Sequence, residues 1–285
     1  MTKTIAALLT VFNRKEKTLT CLQNLFAQEL PEDTEIEVFM VNDGCTDGTP
    51  QAVREQFPSV NIIEGNGNLY WNRGMHLAWK TASTTKQYDF YFWLNDDTFL
   101  VDNALTTLIE VSKGMGDKAI IAGTTCEPHD PTIFTYGGIT NSGQLVVPQD
   151  RHIPCDYFHG NIVLIPLYVY EKIGLNDPVF RHALGDFDYG KRAKKMGIRN
   201  ILAPGILGKC ESHETLPVWC DPKVSLKKRW KAFRAPLGNN PEEFLIYTKR
   251  HGSYSVAYFH YATNHIRVVL PWLWEYKRDK EHFVS

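Results

Sequence analysis

Apolar runs alternate with helix-like segments through the first half of the chain. Four runs have the length and continuity of buried strands, at residues 4–12, 36–41, 60–63 and 90–94. The segments between and after them space their apolar residues as helices do, at residues 16–27, 49–57, 74–82 and 101–111. This alternation predicts an α/β fold with a mostly parallel central sheet and helices on both faces.

The pattern changes in the second half. Residues 119–157 combine short apolar stretches with Pro and Gly turns, which predicts an irregular β insertion. Two strands and two helices are then predicted, in the order 161–165, 168–173, 185–196 and 201–203. Further helices are predicted at 223–233 and 241–251, the second with Asn240 as cap and Pro241 at its first position. We therefore divide the chain into a catalytic-type body, 1–215, and a helical C-terminal appendage, 216–285.

Composition and charge fit this division. The chain has 285 residues, of which 43% are hydrophobic and 22% charged, as in folded globular proteins. Its formal net charge of −1 gives no overall field that would draw it onto nucleic acid. Residues 1–215 carry 19 Lys and Arg against 26 Asp and Glu, whereas residues 216–285 carry 12 against 6. An acidic body thus carries a basic appendage.

Cysteine use and hydropathy predict a cytoplasmic protein. The six cysteines form no C-x-x-C pair, which favours a reducing compartment over a disulfide framework. The apolar run 5–12 is too short to span a membrane and lacks a small-residue cleavage site. No other run reaches the roughly 18 to 20 residues that a spanning helix needs.

The appendage combines positive charge with aromatic side chains. Its basic cluster comprises Lys227, Lys228, Arg229 and Lys231. The aromatic residues are Trp219, Trp230, Phe233, Tyr258, Trp272 and Trp274. This mixture suits peripheral contact with an anionic membrane surface at its cytoplasmic face. Packing of the aromatics within the protein, or oligomerisation, is an equally physical alternative.

Polar residues at strand ends carry the candidate chemistry, because ligands bind there in open parallel sheets. Dinucleotide-fold, P-loop, zincin and serine-hydrolase signatures are absent from the sequence. Asn95, Asp96 and Asp97 follow the strand 90–94, and adjacent carboxylates of this kind suit Mg²⁺ or Mn²⁺. A polar turn that caps the next helix is the simpler alternative.

Three further segments are candidates, each with a simpler explanation. Residues 42–49, around Asp43, form a turn and a helix cap when considered alone. Asp186 and Asp188 begin a predicted helix, where carboxylates favour the helix dipole, but Asp186 could also serve as a general base. His213 lies in a polar loop, where a lone histidine is usually just exposed.

In order and spacing, these segments resemble the family 2 glycosyltransferases, which have the fold called GT-A. Residues 10–14, TVFNR, are similar to the family's PVYN start, and residues 42–49, NDGCTDGT, to its DDGSTDGT. Residues 95–97, NDD, fall at its D-x-D metal motif, and residues 185–188, GDFD, at its E-D-x-D motif. The resemblance covers about residues 3–215, and residues 67–71, GNLYW, further suggest the rhamnosyltransferase-like branch.

The resemblance implies an enzyme that transfers a sugar from a nucleoside diphosphate to a hydroxyl with inversion at the anomeric carbon. It implies Asp186 as the catalytic base, and Asp97, His213 and Asp96 as ligands of Mg²⁺ or Mn²⁺. The donor nucleotide sugar would be held by Thr10, Asn13, Arg14, Asp43, Asn68, Asn95 and Asp96. Trp71, Asp188 and Arg192 would shape or support the acceptor side, although Asp188 and Arg192 are also spaced to pair with each other. The acceptor would be a glycan or a lipid-linked glycan in polysaccharide biosynthesis.

The sequence also departs from the family pattern. Cys45 stands where Ser is usual, Asn42 and Asn95 replace Asp residues, and Gly185 replaces the acidic residue before the base. Two other functions therefore remain as hypotheses. One is a non-catalytic sugar-binding or scaffold protein on a transferase fold, and the other is a glycoside hydrolase that uses Asp97 and Asp186.

Overall fold

The computed structural model describes residues 2–31, 33–212 and 216–273. The described chain forms two compact units. The first comprises residues 2–181 and 185–212, and the second comprises residues 182–184 together with those from 216 onward. The predicted domain boundary at residue 215 remains a prediction.

A ten-stranded sheet forms the centre of the first unit. Its main path runs in the order β3-β2-β1-β4-β11-β6-β12-β5, and β7 and β9 pair with β6 and β12. The strands are β1 (Lys3–Val11), β2 (Thr34–Asn42), β3 (Asn61–Glu64), β4 (Phe90–Leu94), β5 (Phe99–Leu100), β6 (Ala119–Cys126), β7 (Phe134–Tyr136), β8 (Gly138–Ile139), β9 (Ile153–Cys155), β10 (Tyr157–Phe158), β11 (Ile162–Pro166) and β12 (Arg199–Lys209). β8 and β10 form a separate antiparallel pair.

Helices cover both faces of this sheet. They are α1 (Lys15–Phe26), α2 (Thr49–Gln56), α3 (Tyr70–Thr85), α4 (Ala104–Gly114), α5 (Leu167–Ile173) and α6 (Gly185–Lys195). Helices α1, α2 and α4 contribute to one apolar core, through residues such as Leu22, Val53 and Leu108. Helices α3, α5 and α6 contribute to the other, which contains Trp79 and Tyr189. Each sheet face therefore has its own core.

The predicted fold class is confirmed, since the sheet is mixed but largely parallel. β1 is parallel to both β2 and β4, β2 to β3, and β6 to β12. β11 is antiparallel to both of its neighbours, β4 and β6, and so interrupts the parallel order. Polar residues that follow β1, β2 and β4 are consequently brought to one edge of the sheet.

Two strand predictions were wrong in extent. Residues 119–126 are not part of an irregular insertion but form β6, in which every residue is buried. β12 has 11 residues rather than three, because irregular pairing between Leu202 and Gly208 carries the strand past Pro204 and Gly205. The sequence shows Pro and Gly as strand ends, whereas a bulge lets the strand continue beyond them.

The second unit is helical in its described part, with α7 (Leu226–Arg234), α8 (Pro241–His251) and α9 (Tyr254–Val269), and a 3₁₀ turn at Val218–Cys220. α8 has the predicted bounds, and the Asn240 side chain accepts the Glu243 N–H at 3.1 Å. Trp219, Phe233 and Val268 form a small buried cluster. α9 was missed, because its aromatic residues are spread around the helix and leave no clear amphipathic period.

Arg229 corrects the predicted basic cluster. Its side chain is buried and donates to the carbonyl oxygens of Val268 at 2.8 Å and Val269 at 3.3 Å, at the end of α9. Arg229 also donates to the Val224 carbonyl. It therefore satisfies the last carbonyls of α9 and is not a surface charge. Across the described helices, none is long and apolar enough to cross a membrane.

Candidate active site

The loops after β1 and β2 are joined by side-chain hydrogen bonds. Asn13 has a left-handed backbone with φ of 50°, and its Oδ1 accepts the Thr46 N–H at 2.7 Å. The Asn13 N–H in turn donates to Sγ of Cys45 at 3.3 Å. Cys45 therefore accepts a backbone hydrogen bond at the position where the family usually has Ser, and burial raises the pKa of its thiol.

Asp43 is buried and caps helix α3 from a neighbouring loop. Its carboxylate accepts the N–H groups of Gly67 at 2.8 Å and of Leu69 and Tyr70 at 2.9 Å. The helix therefore begins at Tyr70, four residues before its predicted start, and includes Trp71. The sequence could not show this because the cap comes from a residue 27 positions away.

Arg14 pairs with both carboxylates that follow β4. Its Nη1 lies 3.2 Å from Oδ1 of Asp96 and 2.6 Å from Oδ2 of Asp97. The Arg14 side chain is 45% exposed, whereas those of Asp96 and Asp97 are 7% and 11% exposed. One half-exposed guanidinium thus pairs with two nearly buried carboxylates.

Burial dominates the protonation of Asp96. It raises the pKa of the Asp96 carboxyl to about 7, and the negative charge of Asp97 adds to this rise. Arg14 opposes the rise, as does the hydrogen bond from Thr18 Oγ1 at 3.4 Å. The Cys210 Sγ contacts the other oxygen of Asp97 at 3.9 Å, and burial raises the pKa of this thiol to about 12.

The carboxylate oxygens of Asp96 and Asp97, at this corner of the site, are chemically suited to bind a hard divalent cation, but they provide only part of a ligand set. Two carboxylate oxygens converge on one positive nitrogen, that of Arg14, and oxygen ligands are the kind that Mg²⁺ and Mn²⁺ prefer. Among residues 2–31, 33–212 and 216–273, no three His, Cys, Asp or Glu side chains form a metal-binding group. His213, the third predicted ligand, lies outside the described residues.

Trp71 connects this corner to the predicted base. Its Nε1 donates to Oδ1 of Asn95 at 2.6 Å, and its ring packs edge-on against Trp93. Gly160 lies so close to the indole that a Cβ there would be 2.4 Å from Trp71 Cζ2. Only glycine fits this approach.

Asp186 lies in the first turn of α6 and contacts Gly160, the residue that packs against the Trp71 ring. Its Oδ2 accepts the Gly160 N–H at 2.9 Å, and its Oδ1 accepts the Phe187 N–H at 2.9 Å. Burial raises the pKa of the Asp186 carboxyl to about 6, although these two N–H groups act against the rise. A carboxylate with this pKa is ionised near neutral pH yet basic enough to accept a proton.

A buried asparagine, Asn72, explains why residue 185 is glycine. A Cβ at Gly185 would lie 1.8 Å from Oδ1 of Asn72, so no acidic side chain fits where the family pattern has one. Asn72 is held by Asn176, whose Nδ2 donates to the Asn72 Oδ1 at 2.7 Å. The Nδ2 of Asn72 donates to the Phe180 carbonyl at 2.7 Å. This amide network supports the turn that leads into α6.

Asp188 and Arg192 pair within α6. Arg192 Nε lies 2.9 Å from Oδ2 of Asp188, which is fully buried. The guanidinium also donates to the carbonyls of Ile173, the last residue of α5, at 3.2 Å and of Leu175 at 3.0 Å. In this arrangement the pair fixes α6 to the preceding chain.

The remaining predicted donor contacts lie at the same edge. A Cβ at Gly74 would be 2.1 Å from Thr10 Oγ1, so Thr10 packs against α3. Asn68 is exposed in the loop before α3, and its backbone N–H donates to Asn66. Sequence reasoning missed Thr18, Asn72 and Gly160. Gly160 alone had a local signal, a glycine directly before a buried strand.

Comparisons with known proteins agree with this architecture. The profile of the family described as "Glycosyl transferase family 2" matches residues 7–161, and no curated protein sequence matches the chain. Among solved structures, the chain is similar to the mannosyltransferase PcManGT from Pyrobaculum calidifontis in complex with GDP-Man and Mn²⁺. The identity is 18% and the TM-score 0.56, over 96% of this chain and 88% of that one. It is also similar to S. aureus TarS, with 13% identity and a TM-score of 0.52, over 89% of this chain and 44% of TarS. These similarities identify a GT-A fold.

Proposed function

Since this chain belongs to glycosyltransferase family 2, we propose that it transfers a sugar from a nucleoside diphosphate to a hydroxyl, with inversion at the anomeric carbon. One observation carries this proposal. Trp71 lies between the two candidate groups: its Nε1 donates to Asn95, in the same loop as Asp97, and its ring packs against Gly160, whose N–H donates to Asp186. These contacts support one site that holds both the donor-side carboxylates and the base. The transferred sugar is a hexose or rhamnose, the latter if the chain belongs to the rhamnosyltransferase-like branch.

In the proposed reaction Asp186 is the base. Its carboxylate takes the proton of the acceptor hydroxyl while the hydroxyl oxygen forms a bond to the anomeric carbon. The bond from that carbon to the diphosphate breaks in the same step, and the electron pair leaves with the diphosphate. A single displacement of this kind inverts the configuration.

The donor side carries the negative charge of the diphosphate. Asp97, with Asp96 and His213, would hold Mg²⁺ or Mn²⁺, which when bound neutralises the leaving diphosphate. The nucleotide would contact Thr10, Asn13, Arg14, Asp43, Asn68 and Asn95. Asp43 would act mainly by fixing the loop before α3, because its carboxylate already accepts three backbone N–H groups. The solved complex of PcManGT with GDP-Man and Mn²⁺ supports a donor of this class.

The acceptor side is built around Trp71 and α6. Trp71 offers an aromatic surface beside Asp186, which is the usual partner of a sugar ring. Asp188 and Arg192 would support this side by holding α6 in place. The acceptor is a glycan or a lipid-linked glycan, as in polysaccharide biosynthesis.

The helical appendage would bring the enzyme to the cytoplasmic face of a membrane. On and beyond α9 exposed apolar residues follow one another at spacings of seven, three and four positions, at Phe259, Ile266, Val269 and Leu273. Lys227, Lys228 and Lys231 on α7 are exposed, whereas Arg229 is buried. Basic residues near an anionic bilayer are worth about 1 kcal/mol each, and aromatic residues favour the headgroup level.

A flotation assay with anionic liposomes tests the membrane contact. We expect the Lys227→Gln, Lys228→Gln, Lys231→Gln triple variant to lose most binding at low salt, while the fold is kept because Arg229 is untouched. A matched control changes three exposed lysines of the first unit, Lys80, Lys113 and Lys195, to Gln. Equal flotation of both variants and the wild type would remove the membrane from the proposal.

A thermal-shift screen tests the transferase function itself. UDP-, dTDP- and GDP-sugars are tested with Mn²⁺ or Mg²⁺, each against the matching nucleoside monophosphate as control. A ligand at 100 times its dissociation constant should stabilise the fold by about 2.7 kcal/mol. The stabilising donor is then offered to glycan acceptors, with the released nucleoside diphosphate as readout. The proposal fails if no nucleotide sugar stabilises the chain, and release without an acceptor would favour a hydrolase.

A further inference from the structure

Arg14 occupies the position of a bound cation. Its Nη1 contacts one oxygen of Asp96 and one of Asp97, at 3.2 and 2.6 Å. These oxygens belong to adjacent, nearly buried carboxylates, which repel each other unless a positive charge lies between them. An arginine remains protonated under all physiological conditions, so its charge cannot be removed by pH.

The same two carboxylates are those that the proposed function assigns to a divalent ion, and this inference rests on that function. Two cations cannot share one pair of carboxylate oxygens without strong repulsion. We propose that the Arg14 guanidinium and the divalent ion are alternative partners of Asp96 and Asp97. Arg14 keeps the carboxylates neutralised while no ion is bound, and it must leave before an ion binds there.

The surroundings of Arg14 allow such an exchange. Its backbone is fixed at the start of α1, where its carbonyl accepts the Thr18 N–H at 2.9 Å. Its side chain is nearly half exposed, so it can turn into solvent without moving the helix. Asp96 retains the Thr18 hydroxyl as a partner after Arg14 leaves.

Exchange has a thermodynamic consequence for the free protein. An ion that binds without donor must displace an ion pair, so its affinity is lowered by the strength of that pair. A nucleoside diphosphate offers Arg14 a new anionic partner and supplies further oxygen ligands to the ion. Divalent ion and donor should therefore bind with positive coupling, each strengthening the other.

Mn²⁺ titration of the full chain by calorimetry, at about pH 8 and without donor, tests this inference. Arg14→Gln removes the competing cation, and we expect its dissociation constant for Mn²⁺ to fall about fivefold or more. Lys17→Gln is the matched control, because Lys17 lies in the first turn of the helix that Arg14 precedes but pairs with Glu211 instead. We expect it to change the constant by less than about twofold. Arg14→Lys keeps a positive charge but replaces the planar guanidinium with one ammonium, and we expect it to increase the Mn²⁺ affinity by less than Arg14→Gln does.

The inference is overturned if Arg14→Gln binds Mn²⁺ no more tightly than the wild type, or if Lys17→Gln gains as much. The first result would mean that the ion uses other atoms, and the second that only the general field changed. Circular dichroism checks that each variant is folded, and Arg14→Lys carries the test if Arg14→Gln is not. Because no donor is present, these results are independent of transferase activity. Tighter Mn²⁺ binding by a chain that no nucleotide sugar stabilises would contradict the proposed function alone.

Discussion

The two groups of candidate carboxylates differ in their partners. Asp96 and Asp97 face a guanidinium and form ion pairs, whereas Asp186 accepts hydrogen bonds from the backbone N–H groups of Gly160 and Phe187. A carboxylate paired with a fixed positive charge is suited to hold charge. Burial raises the pKa of both Asp96 and Asp186, but among the described residues only Asp186 has neutral N–H groups and no positive charge as partners, so it is the one suited to take a proton. The difference teaches that environment, and not residue type, divides the roles of acids in one site.

Removing the proton acceptor should have the largest effect. Asp186→Asn is isosteric but cannot accept the acceptor proton, so we expect turnover to fall by about 10² to 10⁴. Donor affinity, measured by calorimetry, should stay within about threefold of wild type, since the donor side is unchanged. Asp150→Asn, at an exposed position, is the control. A variant that keeps a third of wild-type turnover would exclude Asp186 as the base.

Moving the proton acceptor should have the next largest effect. Gly160→Ala places a methyl group 2.4 Å from the Trp71 ring, so either the ring or the Gly160 backbone, whose N–H binds Asp186, must shift. A displacement of about 1 Å at a reacting group can cost about 10² in rate. Gly114→Ala is the matched control, because a Cβ there meets no atom within 4 Å. Equal turnover of the two variants would separate Gly160 from catalysis.

Changing Asp97, on the donor side, should affect donor binding more than turnover. Asp97→Asn removes one of the two carboxylates that face Arg14, and we expect the dissociation constant of the donor in Mn²⁺ to rise about tenfold, or about 1.4 kcal/mol. Titrations with and without Mn²⁺ check this, because the difference between them should shrink in the variant. An unchanged metal dependence would mean that Asp97 does not hold the ion.

Much of the fold could be predicted from the sequence. Continuous apolar runs such as residues 90–94 are enough to predict buried strands, and their alternation with helices predicts the layered sheet. Errors arose where distant contacts decide a boundary. Asp43 caps α3, so the helix begins four residues before its predicted start. Irregular pairing with β6 lets β12 continue past Pro204 and Gly205. Such contacts leave no local signal.

The site could be predicted only in its outline. Strand ends and motif order predicted that Asp96, Asp97 and Asp186 lie at the sheet edge where ligands bind. The contact between Arg14 and the Asp96–Asp97 pair could not be predicted, because it joins residues more than 80 positions apart. The close packing of Gly185 against Asn72 could not be predicted either. It explains why no acidic residue stands at position 185, because a side chain there would clash with Asn72.

The pH dependence of single-turnover transfer, at saturating donor, metal and acceptor, tests the central claim most directly. Asp186 must be ionised to accept a proton, and burial raises its pKa to about 6. The rate should therefore be constant above about pH 7 and fall as pH decreases through 6, approaching about tenfold per pH unit below it. Circular dichroism across the same range checks that the fold is kept. A rate that is flat from about pH 8 to pH 5 in a folded enzyme would contradict the assignment of Asp186 as the base.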